Sequence, residues 1–73
     1  MVSNLKSIVV GIVEEKEIKI ENYQSAKLSS VENDLNSGKL DIDGAVGQVR
    51  EIFSFHLKED AYREITKQLK YNL

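Results

Sequence analysis

No cysteine occurs in the chain. Disulfide staples and zinc–thiolate sites are therefore excluded, and stability must come from packing or self-association. That constraint is sharp at 73 residues, close to the lower limit at which one hydrophobic core holds a domain together. Histidine occurs once, at His56, so neither a histidine cluster nor a conventional three-ligand metal centre can be built. No apolar run approaches the roughly 20 residues that span a bilayer. The first such run, "MVSNLKSIVVGIV", stops at Glu14 and Glu15 and lacks the positive start, longer apolar core and cleavage site of a secretory signal. A cytoplasmic protein with no membrane partner is expected.

A dense basic stripe is missing as well. Residues 14 to 43 carry eight acids against four lysines, while residues 50 to 73 carry five bases against four acids. The bases are interleaved with acids along the chain, so no nucleic acid partner is expected. What is present is ordinary for a folded domain: 41% hydrophobic and 30% charged is too apolar for disorder. No linker or internal repeat appears, and residues 1–73 are expected to form a single helical domain.

Leu5, Ile8, Val9, Ile12 and Val13 fall at the spacing that lines one face of a helix, with Ser3 in N-cap position. The alternative for residues 5–13 is a strand, because several of these side chains are β-branched and "EIKI" alternates. A hairpin would need a turn inside "EEKE", which offers no Gly, Asn or Asp. A second helical face follows in Ile20, Tyr23, Leu28, Val31 and Leu35, ending at Gly38, where glycine can adopt the left-handed conformation that closes a helix. Asp41 then stands as an N-cap, Leu40 and Ala45 as a hydrophobic staple, and Asp43 meets the positive end of the helix dipole. Ile42, Ala45, Val46, Val49, Ile52, Phe53 and His56 form the clearest helical stripe, with His56 read as a partly buried packing residue. Beyond Phe55 the apolar positions Leu57, Ala61, Ile65 and Leu69 step by four, so the stripe turns around the axis. Residues 42–71 are either one curved helix or two with a break near Ser54 to Leu57. The fold class expected is all-α, a three- to four-helix bundle with a hairpin turning at Gly38.

"NDLNSGKLDIDG", Asn33 to Gly44, is the stretch nearest to a chemical motif. With Gly38 at position 6 of a calcium loop, Leu35 falls at position 3 and Gly44 at position 12, where oxygen ligands are required. Starting at Asp34 puts Gly38 one place early and Ala45 at the glutamate position. The helix corner explains these residues without a metal. The serines at 29, 30, 37 and 54 lie in no nucleophile elbow, and "SGKLDIDG" lacks the first glycine and the hydroxyl of a phosphate loop. Glu14, Glu15, Glu17 and Glu21 read as a solvated face. No catalytic, cofactor or metal site is expected, and no enzyme, since a chain this short leaves little concave volume after packing.

The segment "KLSSVENDLNSGKLDID", Lys27 to Asp43, resembles the helix–glycine–helix segment of flagellar anti-sigma factors and is similar to the small subunit of exonuclease VII. It covers about a quarter of the chain, and the anti-sigma pattern has no counterpart to the 18 residues after Phe55. The resemblance implies a helical hairpin and inhibitor-like behaviour.

The function expected is thus a small protein-binding module, a bacterial or phage regulator or inhibitor of antitoxin, immunity or anti-sigma type that masks a partner protein. A structural homo-oligomer such as a homodimer, or an accessory subunit of a larger complex, is the alternative. The turning stripe of Ile52, Phe53, Phe55, Leu57, Tyr62 and Ile65 is expected to bind the partner or a second copy, because those side chains lie progressively round the axis and cannot all enter one thin core.

Overall fold

The hydrophobic periodicity resolves into four α-helices: α1 (Leu5–Glu15), α2 (Asn22–Asn36), α3 (Ile42–Phe53) and α4 (Glu59–Asn72), with one turn of 3₁₀ helix, Ser54–His56, between α3 and α4. The computed structural model describes residues 4–72, with the backbone alone for Phe55 and Asn72. Among the described residues there is no strand, which settles residues 5–13 as helix. Leu5, Val9, Ile12 and Val13 are buried along one face of α1, and tertiary burial of such a face outweighs the weak helix propensity of β-branched residues.

Ser3 lies outside the described residues. Asn4 occupies the N-cap position of α1 without a side-chain cap bond, and the opening turn is served from α2. The Lys6 backbone N–H donates to Glu32 Oε1 at 3.0 Å, and Lys6 Nζ donates to Ser29 Oγ at 2.8 Å. At its other end α1 closes through a residue that is not glycine. Glu17 sits at φ 59°, its N–H donating to the Glu14 carbonyl at 3.0 Å while the Ile18 N–H reaches the Val13 carbonyl at 3.2 Å. Those two bonds define a Schellman motif, made here without the residue type that enters it at least cost.

Helix α2 opens on a reciprocal cap, with the Glu21 N–H donating to Gln24 Oε1 at 2.8 Å in the manner of a capping box. Gln24 is buried, and its Nε2 reaches the Ile52 carbonyl of α3 at 3.5 Å. The inward face is Gln24, Leu28 and Val31. Tyr23, one position away, is 58% exposed, contrary to the inward placement expected for it.

The corner at Gly38 has the expected geometry. Gly38 takes φ +85°, with the Lys39 N–H on the Asp34 carbonyl at 2.9 Å and the Gly38 N–H on the Leu35 carbonyl at 3.3 Å. Asp41 Oδ1 then accepts the Gly44 N–H at 2.6 Å, capping α3, and Asp43 lies in the first turn. These roles account for Asp41 and Asp43 as architecture.

Neighbouring helices pack in a closed ring, α1 on α2, α2 on α3, α3 on α4 and α4 on α1. Lys6 to Glu32, Gln24 to Ile52, Arg50 to Glu59 and Lys16 to Asp60 each join the beginning of one helix to the later part of its neighbour or the reverse. All four neighbour pairs therefore run antiparallel, the up-and-down order that short connections impose.

Candidate partner-binding surface

The side chains expected to form the docking stripe are mostly inside. Phe53, Leu57, Tyr62 and Ile65 are buried in the core, so they are not a free surface. Of the two alternatives for residues 42–71 the structure has the break: Ser54 ends α3 with φ 51° and ψ −128°. Leu57 then runs extended, and α4 restarts on a new axis that turns Tyr62, Ile65 and Leu69 back toward α3. Ile52 is half-buried and borders a shallow groove between α2 and α3. The side chain of Phe55 lies outside the described residues. His56, expected to pack partly inside, is exposed on the 3₁₀ turn.

Tyr62 locks this break. Its hydroxyl donates to the Ser54 carbonyl at 2.7 Å, and the Arg50 guanidinium lies 4.2 Å from its ring centroid. Arg50 also pairs with Glu59 at the start of α4, with Nη2 to Oε2 at 3.4 Å. The Arg50 hydrogen bond, followed by the charges of Arg50 and Arg63, holds the Glu59 carboxyl below the usual range, and the hydrogen bond to Glu59 raises Arg50. Across the bundle, the hydrogen bond and charge of Lys16 hold the Asp60 carboxyl below its usual value. Burial pushes the Tyr62 phenol up, against the opposing charge of Arg50.

What the linear charge count hides is the sorting of α4. Arg63, Lys67 and Lys70 stand at i, i+4 and i+7, one sector of a helix, and line a groove against α3 of about 420 Å³ together with Arg50, Glu59 and Thr66. Glu64 and Gln68 turn the other way, into the groove between α4 and α1. Glu64 is thus separated in space from Arg63 and Lys67, its neighbours in sequence. The described residues hold two ion pairs, Lys16–Asp60 and Arg50–Glu59, and Arg63, Lys67 and Lys70 belong to neither.

Lys70 lines both the basic groove and an apolar recess of about 520 Å³ at the Gly38 corner, walled by Leu35, Leu40 and Ile42 together with Asp41 and Asp43. Those three aliphatic side chains are partly buried against the core. Tyr71, next to Lys70, is 89% exposed.

Among the described residues no group of three His, Asp or Glu side chains is placed to hold a metal ion, and no helix is long and apolar enough to cross a membrane. No protein family, characterised protein or solved structure matches the chain, so the resemblance of residues 27–43 to anti-sigma factors gains no support.

Proposed function

We propose that this chain is a non-enzymatic protein-binding module of the cytoplasm that acts by covering a surface of a partner protein, as regulators and inhibitors do. One observation carries the proposal: Arg63, Lys67 and Lys70, which belong to neither ion pair among the described residues, line one groove, and Lys70 also lines an apolar recess beside it. Polar groups that fix register beside an apolar pocket that anchors are the two parts of a protein interface. Like charges at i, i+4 cost a helix about 0.2–0.5 kcal/mol, a cost that a partner of opposite charge reverses on binding.

Site-specific photo-cross-linking in the native host tests the proposal. A cross-linker replacing Thr66, on the groove, should give one heteromeric adduct, and the same group at Ser30, exposed on α2, should give none. An adduct of twice the chain mass would identify a homo-oligomer, and equal labelling from both positions would remove the groove from the interface.

A further inference from the structure

The groove already holds a carboxylate. Glu59 lies against Arg50, and the charge of Arg63 acts on the same group. A residue of this chain thus demonstrates, at the upper end of the groove, what its walls accept. Below it, Arg63, Lys67 and Lys70 extend the same chemistry over seven residues, about 10 Å of helix axis, and belong to neither ion pair among the described residues. The lower end opens on Leu35, Leu40 and Ile42.

Resting on the protein-binding reading above, we propose that the occupant of this groove is an acidic amphipathic helix of a partner protein, its carboxylates on Arg63, Lys67 and Lys70 and a bulky aliphatic side chain seated in the Gly38-corner recess. An antiparallel helix with acids at i, i+3 and i+7 matches the spacing of the three cations. Arginine and lysine on a short, exposed stripe suit carboxylates that arrive one at a time. A phosphate backbone fits less well. It would continue past the stripe onto Glu59 above or Asp41 and Asp43 below, where like charge repels it, and three cations release few counterions. The aliphatic recess also has no counterpart in a phosphate chain.

The probe is a short helical peptide with glutamates at i, i+3 and i+7 and one leucine a turn beyond, compared with its glutamine analogue and with single-stranded oligothymidylate. In a nuclear magnetic resonance titration of the full chain, the acidic peptide should shift the amides of Arg63, Thr66, Lys67, Lys70 and Ile42. Its affinity should fall by at least about tenfold for Lys67→Glu and for Arg63→Glu, a loss of one good charge contact, and should weaken with salt. Both side chains are exposed, so the variants keep the fold, which their circular dichroism verifies; Lys67→Gln gives a milder second reading. Equal binding of the glutamine peptide, shifts confined to other faces, or preference for oligothymidylate would overturn the proposal. So would failure of the acidic peptide to bind. If that failure accompanies a heteromeric adduct at Thr66, the partner's chemistry is wrong and the protein-binding reading stands; with no adduct at Thr66, that reading falls too.

Discussion

The hydroxyl of Tyr62, in the first turn of α4, donates to the backbone carbonyl of Ser54, the residue at which α3 ends, at 2.7 Å. The break between the helices is thereby tied to the core, because the ring that carries the hydroxyl is itself buried. Losing the hydroxyl leaves a carbonyl at the chain reversal without its partner. Tyr62→Phe should lower stability by about 1 kcal/mol, seen as a lower urea midpoint at unchanged slope. No change would mean that packing alone holds the break.

Ser54 itself sits in a backbone region that side chains avoid. Such residues cost about 1–3 kcal/mol, while glycine adds about 0.4–1 kcal/mol of unfolded-state entropy to be overcome. Ser54→Gly should therefore stabilise the chain by about 1 kcal/mol in chemical denaturation. A destabilised variant would show that the Ser54 conformation carries no strain.

The two Schellman corners give an opposed pair. Gly38→Ala places a β-carbon at φ +85° and should cost about 1 kcal/mol or more. Nothing lies within 4 Å of that added atom, so the loss reports backbone conformation and not a clash. Glu17→Gly relieves φ 59° and should gain about 0.5 kcal/mol once the entropy of glycine is subtracted. Thermal melts of both variants read the two signs, and shifts in the same direction would contradict the assignment.

The pH dependence has two limbs. Glu59 and Asp60 have folded values below their ordinary ones, so their contribution is present above the unfolded carboxylate range, about 4, and fades as pH falls through the lower folded values. Both are exposed and the acid limb should be shallow. Tyr62 is raised by burial, so its contribution is intact below the unfolded value of about 10 and is lost as pH rises through the folded one. Urea midpoints of the parent against Asp60→Asn and Tyr62→Phe should show the first variant flattening the acid limb and the second the alkaline limb. Unchanged limbs would assign them to other groups.

Much of the frame was legible because some residue types name their own role. Glycine at 38 and aspartate at 41 are the residues that a left-handed closure and an N-cap ask for, and the stripes of α1 and α3 follow from period alone. Glu17 and Ser54 do the same kind of work with ordinary side chains, so no composition signal marked those turns as such. The conformation at Ser54 has the larger effect: without it the stripe turns round one axis, and with it Phe53, Leu57, Tyr62 and Ile65 all enter the core. Gln24 carries no sequence signal of burial, because only the Ile52 carbonyl beside it makes a buried amide tolerable. The basic groove was hidden by counting charges along the chain, since Arg63 and Glu64 are adjacent in sequence yet face different neighbours.

Lysine reactivity inside the cells that make this protein tests the groove most directly. Lys67 and Lys70 line it, while Lys19 and Lys27 are exposed elsewhere. Brief acylation in intact cells and of the purified chain, quantified by mass spectrometry, should show Lys67 and Lys70 protected in cells and Lys19 and Lys27 equally reactive in both. Equal reactivity of all four in both settings would contradict a partner seated along α4.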